Sequence, residues 1–194
     1  MTALEIREAL HSQTYFQEPE TYNGSRVFHE FGILNGSCRA DIAVANGTLW
    51  GFEIKAESDD LQRLGRQIDA YSKVFERVTL VATEKHAAAA LRMLPRYWGL
   101  IVVAKRRGSC YLRTVRSAKS NPSVDPVSLA RLLWRDEALD IIRKRKGDLV
   151  GLASKPRKAL WQWLADDCSV TELTKIVIGV LKLRQSSNVV GSER

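Results

Sequence analysis

The chain has 194 residues, of which 45% are hydrophobic and 27% are charged, as expected of a soluble globular protein with room for one sizeable core. Its net charge of +8 favours a polyanionic partner, although a basic composition alone is not specific. The chain has no bilayer-length apolar run and no signal-peptide core in residues 1–10, and its three cysteines are widely spaced, so we expect a cytoplasmic protein with no membrane partner, disulfide framework or zinc knuckle.

The first predicted element is a helix over residues 3–12, for which Thr2 is a suitable N-cap. A polar loop over residues 17–25 comes next. Residues 26–34 read as a strand, which ends at an Asn-Gly turn at positions 35 and 36. The chain therefore reaches its central hairpin through a helix, a loop and a strand.

Residues 39–55 read RADIAVANGTLWGFEIK, two runs of alternating character around Asn46-Gly47, which is a strong hairpin signal. A two-residue loop would set Asp41 opposite an aromatic residue. A three-residue loop, with Gly47 at positive φ, sets Asp41 opposite Glu53 and also matches the apolar faces of the two strands. We therefore predict the three-residue loop.

Two carboxylates side by side on a sheet repel each other unless a positive charge lies between them. Mg²⁺ would satisfy this need, because it is usually held by one or two carboxylates, several waters and phosphate oxygens. Lys55 lies two residues after Glu53 and so shares its face of the strand. Its ammonium could assist an attacking water or offset charge on a phosphate. Asp41, Glu53 and Lys55 thus form a plausible phosphodiester-cleaving set.

A short set of residues also carries a resemblance to a known enzyme family: Asp41, Glu53-Ile54-Lys55, Gln67 and Tyr71. In this spacing they resemble the PD-(D/E)XK nuclease signature, with alanine at position 40 where many members have proline, followed by the QxxxY element of RecB-type enzymes. The chain also resembles a family of uncharacterised bacterial PD-(D/E)XK nuclease-like proteins. The features that carry this second likeness are Glu30-Phe31-Gly32, Glu53 to Lys55, Arg63-Leu64, Gln67, Tyr71, Pro95 to Gly99, Leu133-Trp134-Arg135 and Lys155-Pro156-Arg157.

The resemblance implies an α/β protein with a restriction-endonuclease-like αβββαβ core and a C-terminal all-helical appendage. It implies a nuclease that depends on Mg²⁺ or Mn²⁺ and acts on DNA, with RNA left open. Lys55 would assist the attacking water, and Gln67 and Tyr71 would lie near the site. The metal would be held by Asp41, Glu53, the carbonyl of Ile54, and Glu30.

Several alternatives stay open for these acidic residues. Glu53 and Lys55 could be an ordinary ion pair on a solvated face of the sheet. The third acid could be Glu30, or one of two acids on the first helix, Glu5 and Glu8. Glu30 could also simply face solvent.

A second predicted helix begins at Asp59, with Ser58 as its cap. Gln67 and Tyr71 lie one turn apart on this helix and share a side. Alternatively, Tyr71 is a core residue that Gln67 flanks. Arg63 could reach a phosphate or form a surface ion pair with a neighbouring aspartate.

The next segments predict a strand over residues 78–82, a helix over 84–94, a strand over 100–104 and an edge strand over 110–115. Helices thus alternate with strands after the hairpin, which is typical of an α/β fold.

We predict three parts in the chain: a nuclease-like domain over residues 1–117, a basic helical domain over 126–184 and a disordered tail over 185–194. The Ser-, Asn- and Pro-containing stretch between the first two is the predicted boundary. Asp125 is expected to cap the first helix of the second domain, with proline next to it.

The helical domain contains basic residues that could neutralise nucleic-acid phosphates without reading bases. Solvated helix ends would explain the same residues, and the helices could also pair two copies into a homodimer. A non-catalytic nucleic-acid-binding or adaptor protein on the same fold, or a purely structural protein, are the alternative functions. The predicted nucleic-acid-binding residues are Arg63, Arg143, Lys144, Arg145, Lys146, Lys155, Arg157 and Lys158.

Overall fold

The computed structural model describes residues 1–12, 25–106 and 108–184. The predicted loop before the first strand, apart from its last residue, and the predicted C-terminal tail lie outside these residues. The strands are β1 (Arg26–Ile33), β2 (Cys38–Ala45), β3 (Leu49–Lys55), β4 (Arg77–Thr83), β5 (Gly99–Arg106) and β6 (Ser109–Arg116). The helices are α1 (Ala3–Ser12), α2 (Leu64–Ser72), α3 (Glu84–Met93), α4 (Pro126–Ala130), α5 (Arg135–Lys146), α6 (Arg157–Asp167) and α7 (Val170–Leu183).

The strands form one mixed sheet in the order β1-β2-β3-β4-β5-β6. β1, β2 and β3 are antiparallel neighbours, β3, β4 and β5 are parallel, and β6 returns antiparallel to β5. The predicted α/β class is confirmed, as is the position of β6 at an edge of the sheet. Across the described ranges, no helix has the length and apolar character needed to cross a membrane.

The register of the central hairpin is the predicted one. Ile42 pairs with Phe52 and Val44 pairs with Trp50, which leaves residues 46–48 as a three-residue loop. Gly47 in this loop has a φ of +102°, a conformation that costs glycine little because it lacks a Cβ. The alternating apolar residues thus select one register, since a slip of one residue would turn their face outward.

The two faces of the sheet are covered by different helices. On one face, Ile6 and Leu10 of α1 pack against Ile42 and Phe52. On the other face, a larger apolar cluster joins the sheet, α2 and α3 to the C-terminal helices α4, α5, α6 and α7. This second face positions the candidate site, because α2 lies on it. The division into domains at residues 1–117 and 126–184 stays a prediction.

The segment before α2 differs from its prediction. The helix begins at Leu64, not at Asp59, and Ser58 does not cap it. The carboxylate of Asp59 instead accepts a hydrogen bond of 2.7 Å from the amide of Ala56. A short acidic side chain that bonds to a nearby amide stabilises a tight turn in competition with a helix.

The predicted linker is anchored beside the C-terminal end of α2. The side-chain amide of Asn121 is buried and donates to the carbonyls of Ser72 and Phe75, each at 2.7 Å. Further along, Asp125 accepts from the amide of Ser128 at 2.8 Å, which confirms the predicted cap of α4. These bonds hold the end of α2 in place, and α2 carries the side chains that face the site.

The contact between β3 and Phe75 generates the first prediction. A Cβ added to Gly51 would lie 2.6 Å from the Phe75 ring, which is fully buried and packs against Phe31 and Tyr71. Because this ring cannot move freely, Gly51→Ala should lower the free energy of unfolding by about 1–3 kcal/mol. Urea denaturation measures this difference.

Gly65 provides the matched control, because it lies on the exposed side of α2 and an added Cβ would meet no atom within 4 Å. Gly65→Ala should leave stability unchanged or raise it by up to about 1 kcal/mol. Equal stabilities for the Gly51 and Gly65 variants would contradict the packing described for β3 and Phe75.

Candidate functional site

A cavity of about 630 Å³ opens where the ends of β2 and β3 meet α2. Its lining includes Asp41, Glu53, Lys55 and Gln67, and its outer wall includes Glu30, Arg39, Arg63 and Arg66. Side chains from two strands and one helix therefore converge on one space. The residues that the sequence predicts to act together do lie together there.

The strand registers explain why three acidic residues meet at this end of the sheet. The pairs that β1 forms on either side of Glu30 place this residue opposite Asp41. The β2–β3 register, continued by one residue, places Glu53 on the other side of Asp41. Asp41 and Glu53 line the same cavity and so lie on the same face of the sheet.

Glu53 lies at the centre of a hydrogen-bond network. Its Oε1 accepts from the Lys55 ammonium at 2.7 Å and from the Gln67 amide at 2.5 Å. The Gln67 Oε1 accepts a second bond from Lys55 at 2.9 Å, and the Tyr71 hydroxyl donates to the Glu53 Oε2. The side chains of Lys55 and Glu53 are only 5% and 3% exposed. They form an ion pair, but on a buried face rather than a solvated one.

Burying an ion pair costs free energy unless further hydrogen bonds satisfy both partners. Gln67 meets this requirement, because its amide bridges Glu53 and Lys55. Tyr71 contributes in a second way, since its ring packs against Phe75 and Trp98 while its hydroxyl holds Glu53. Tyr71 is thus a core residue and a site residue at once.

The environment of Tyr71 keeps its hydroxyl protonated. Burial is the main reason that the pKa of Tyr71 is raised, and the negative charge of Glu53 raises it further. Tyr71 therefore acts as a hydrogen-bond donor that fixes the carboxylate of Glu53. It is not suited to accept a proton as a base.

Asp41 has a different environment from Glu53. Its Oδ2 accepts a hydrogen bond of 2.6 Å from the amide of Ile54. Burial and the nearby Glu53 carboxylate raise the pKa of Asp41 to about 7, against the smaller opposing effects of Ile54 and Lys55. The Lys55 ammonium pairs with Glu53, so Lys55, Glu53 and Asp41 together carry a net negative charge when both acids are ionised.

The donor set can be tested against a divalent cation. Among the described residues, the second oxygen of Asp41 has no hydrogen-bond partner, and a cation would offset the charge that raises this group's pKa. Two carboxylates fit Mg²⁺, which completes its shell with water and phosphate oxygens. Binding by Glu53 would require it to release Lys55. Within the same residues, no group of three or more acidic, histidine or cysteine side chains is arranged as a metal site.

Glu30 lies at the cavity wall with its carboxylate held by two arginines. It forms ion pairs with Arg7 at 2.7 Å and with Arg39 at 3.6 Å. Its φ of +51° is uncommon for a residue with a Cβ and turns its side chain out of the regular strand alternation. Its role as a third metal ligand stays a prediction, as does that of the Ile54 carbonyl.

The two other candidate acids point elsewhere. Glu5 pairs with Lys105 at 2.9 Å and with the amide of Thr2 at 2.7 Å, and the Lys105 hydrogen bond is the main reason that its pKa falls to about 2. Glu8 is exposed. Neither residue lines the cavity.

Three arginines surround the mouth of the cavity. Arg63 is exposed and, within the described ranges, forms no ion pair with the aspartates before it. Arg39, Arg66 and Cys38 also line the cavity, and none of the three was predicted from the sequence. The sequence could have indicated both arginines. Arg39 lies two residues before Asp41 on the same strand face, and Arg66 lies one turn after Arg63.

The predicted basic residues of the C-terminal helices form two separate groups, and neither lines the cavity. Arg145, at the end of α5, pairs with Asp167 at 2.5 Å and with Glu172 at 2.6 Å, so one group lies where α5 and α6 end. The start of α5 lies near the segment before α6, since Arg135 donates to the carbonyl of Ala153. The basic residues at the start of α6 therefore lie about 16 Å from the group at its end, a distance equal to the length of α6.

All seven members of these two groups are exposed, and several have partners within the chain. Arg143 pairs with Asp140 at 3.2 Å and Lys146 with Asp148 at 3.1 Å. Their role in binding nucleic acid stays a prediction. The exposed members are Arg143, Lys144, Arg145, Lys146, Lys155, Arg157 and Lys158.

Comparison with known proteins gives one family. A family model described as bacteriophage P4 protein cII matches residues 8–191. Protein cII of Enterobacteria phage P4 is 24% identical over 158 residues, which cover 81% of this chain and 59% of that protein. The chain thus spans about three fifths of the length of this curated relative. No solved structure matches.

The environment of Asp41 predicts an unusual dependence of stability on pH. Its pKa in the folded state is about 7, against an ordinary value of 3.8. The folded protein therefore binds the proton more tightly than the unfolded chain, so its stability falls as the pH rises between these values. Asp41→Asn removes the charge and should stabilise the protein by about 2–4 kcal/mol above pH 7, with no gain below pH 4.

Urea denaturation of wild type and variant across this pH range measures the difference. Asp69→Asn is the matched control, because Asp69 is an exposed residue of α2 and its substitution should change stability little at any pH. A loss of stability in Asp41→Asn above pH 7 would contradict the electrostatics described for the cavity.

The buried ion pair between Lys55 and Glu53 yields a further prediction. Lys55→Met leaves the Glu53 carboxylate buried without a counter-charge and should cost about 3–5 kcal/mol of stability. Adding Glu53→Gln removes that charge, while the new side-chain oxygen can still accept from Gln67 and the new amide group can donate to the Tyr71 hydroxyl. The double variant should therefore recover most of the loss, as measured by urea denaturation. Strictly additive losses would show that Lys55 and Glu53 do not interact.

Proposed function

The chain belongs to the bacteriophage P4 protein cII family, and for this protein we propose hydrolysis of phosphodiester bonds in DNA with the help of Mg²⁺ or Mn²⁺. The observation that carries the proposal is the convergence of Asp41, Glu53 and Lys55 on one cavity with arginines at its mouth. The proposed site is of the PD-(D/E)XK type, with Gln67 and Tyr71 as the QxxxY element.

The order of elements supports a restriction-endonuclease-like core. α1, β1, β2, β3, α2 and β4 follow one another as αβββαβ, and β4 pairs parallel to β3. In this arrangement the acid-x-lysine tripeptide occupies the end of a central strand. The helix that follows faces that end of the strand through Gln67.

In the proposed reaction, a water oxygen attacks the phosphorus atom and the bond to one ester oxygen breaks, which leaves a phosphate monoester and a hydroxyl group. Asp41 and Glu53 would hold the cation, which would neutralise charge on the phosphate. The Lys55 ammonium donates hydrogen bonds to the water or to the phosphate oxygens. Gln67 and Tyr71 position Lys55 and Glu53 for this role.

A second function is favoured by a specific observation. Both oxygens of Glu53 accept hydrogen bonds from side chains of the protein, namely those of Lys55, Gln67 and Tyr71. A nucleic-acid-binding protein that has no metal would keep this closed network intact. Such a protein would bind DNA through its arginines without cutting it.

A DNA cleavage assay distinguishes the two proposed functions. The wild type should cut DNA when Mg²⁺ or Mn²⁺ is present, and Asp41→Asn should lower the rate at least about 100-fold even though it stabilises the fold. Lys55→Ala should have a similar effect, provided that circular dichroism shows it folded. Gel assays with end-labelled single-stranded, duplex and branched DNA and with RNA measure the rates.

Asp69→Asn and Lys73→Ala are the matched controls, because both residues are exposed near α2 and neither lines the cavity. Both should cut like the wild type. A wild type that binds DNA but cuts none of these substrates with either cation would favour the non-catalytic function. Cutting by Asp41→Asn at the parental rate would remove the proposed mechanism.

A further inference from the structure

Arg63, which immediately precedes α2, and Arg66, in the first turn of α2, form one wall of the cavity mouth. Arg63 and Arg66 are three residues apart, so they lie on the same side of the helix with Cβ atoms about 5–6 Å apart. Both are exposed and line the cavity. In the part of the chain that the structure describes, neither forms an ion pair.

Arg39 of β2 approaches the same mouth from the sheet. Its side chain is 66% exposed, and its ion pair with Glu30 is long at 3.6 Å. An exposed pair of this kind contributes little free energy, about 0–1 kcal/mol, so Arg39 is available to another anion. Three guanidinium groups therefore face one opening, whose lining also includes the carboxylates of Glu30 and Asp59.

Guanidinium groups bind phosphate oxygens in a bidentate geometry. A ligand with several phosphates in a row could contact Arg39, Arg63 and Arg66 together. Within the described residues, no aromatic side chain lines the cavity, so bases have no ring to stack on. Contacts to the sugar–phosphate backbone are thus the ones that this mouth offers, and such contacts do not read sequence.

The depth of the site decides between a single strand and a duplex. The side chains of Glu53 and Lys55 are 3% and 5% exposed, so a phosphate must pass the arginines to reach them. Duplex DNA is stiff, with a persistence length of about 50 nm, so it does not bend sharply to bring one phosphate past the arginines to a buried lysine. A single strand bends freely.

We propose that the cavity takes a single-stranded polynucleotide, whose phosphates are held by Arg63 and Arg66 on one side and by Arg39 on the other. This inference deepens the proposed function, on which it rests for the route of the phosphate to Lys55. The arginines are positioning residues. They hold the strand and do not touch the reacting bond.

Fluorescence anisotropy in EDTA tests the inference without cleavage. The probes are a labelled single-stranded DNA, an RNA of the same sequence and the matching blunt duplex. The single strands should bind at least tenfold more tightly than the duplex. For Arg63→Ala/Arg66→Ala, the slope of log affinity against log salt concentration should become shallower by about 1.4, because each lost phosphate contact on a single strand removes about 0.7.

Arg39→Ala should remove a further contact and reduce the slope by about 0.7 more. Arg92→Ala/Arg96→Ala is the matched control, because both residues are exposed arginines that do not line the cavity. It should leave both affinity and slope as in the wild type. Preferential binding of RNA over DNA, or the reverse, identifies the natural strand.

Two results would overturn the inference: a duplex bound as tightly as the single strand, or an unchanged salt slope in the Arg63/Arg66 variant. Failure of the proposed function looks different. In that case the arginine-dependent binding of single strands is intact, but the wild type cuts none of them with Mg²⁺ or Mn²⁺.

Discussion

The buried ion pair between Lys55 and Glu53 is the constraint on which the site depends. It places a positive and a negative charge inside the protein at 2.7 Å, and Gln67 and Tyr71 bond to it so that neither charge is left unsatisfied. Asp41 lies beside this neutralised pair, so its carboxylate adds a negative charge that has no counter-charge of its own. Burial raises the pKa of Asp41, and the charge of Glu53 raises it further. A divalent cation or a bound proton would remove the excess negative charge.

The fold creates the imbalance through the register of its strands. Apolar alternation and a glycine at positive φ fix the β2–β3 hairpin, and that register brings Asp41 level with Glu53. The large apolar cluster holds α2 against the same face, which brings Gln67 to the end of β3. Stability and the candidate chemistry are thus in opposition at Asp41, as is common where a site needs charges that the fold alone would avoid.

The register of the hairpin and the alternation of helices and strands after it could be predicted, because local patterns determine them. Other features depend on tertiary contacts that the sequence does not display. α2 begins later than predicted because Asp59 bonds to the amide of Ala56. Glu30 meets Arg7 only because α1 packs across the sheet. The mouth arginines were partly within reach, since Arg66 follows Arg63 by one helical turn. Their common opening could not be foreseen without the packing of α2 against β2.

The most direct test is the titration of the Asp41 carboxyl group by carbon-13 NMR, with and without Mg²⁺. The Asp41→Asn variant identifies the resonance. Without metal the group should titrate near pH 7, and saturating Mg²⁺ should lower its pKa clearly, because a bound cation favours the ionised form. A metal-free pKa near the ordinary 3.8, or a value that Mg²⁺ does not change, would contradict the account.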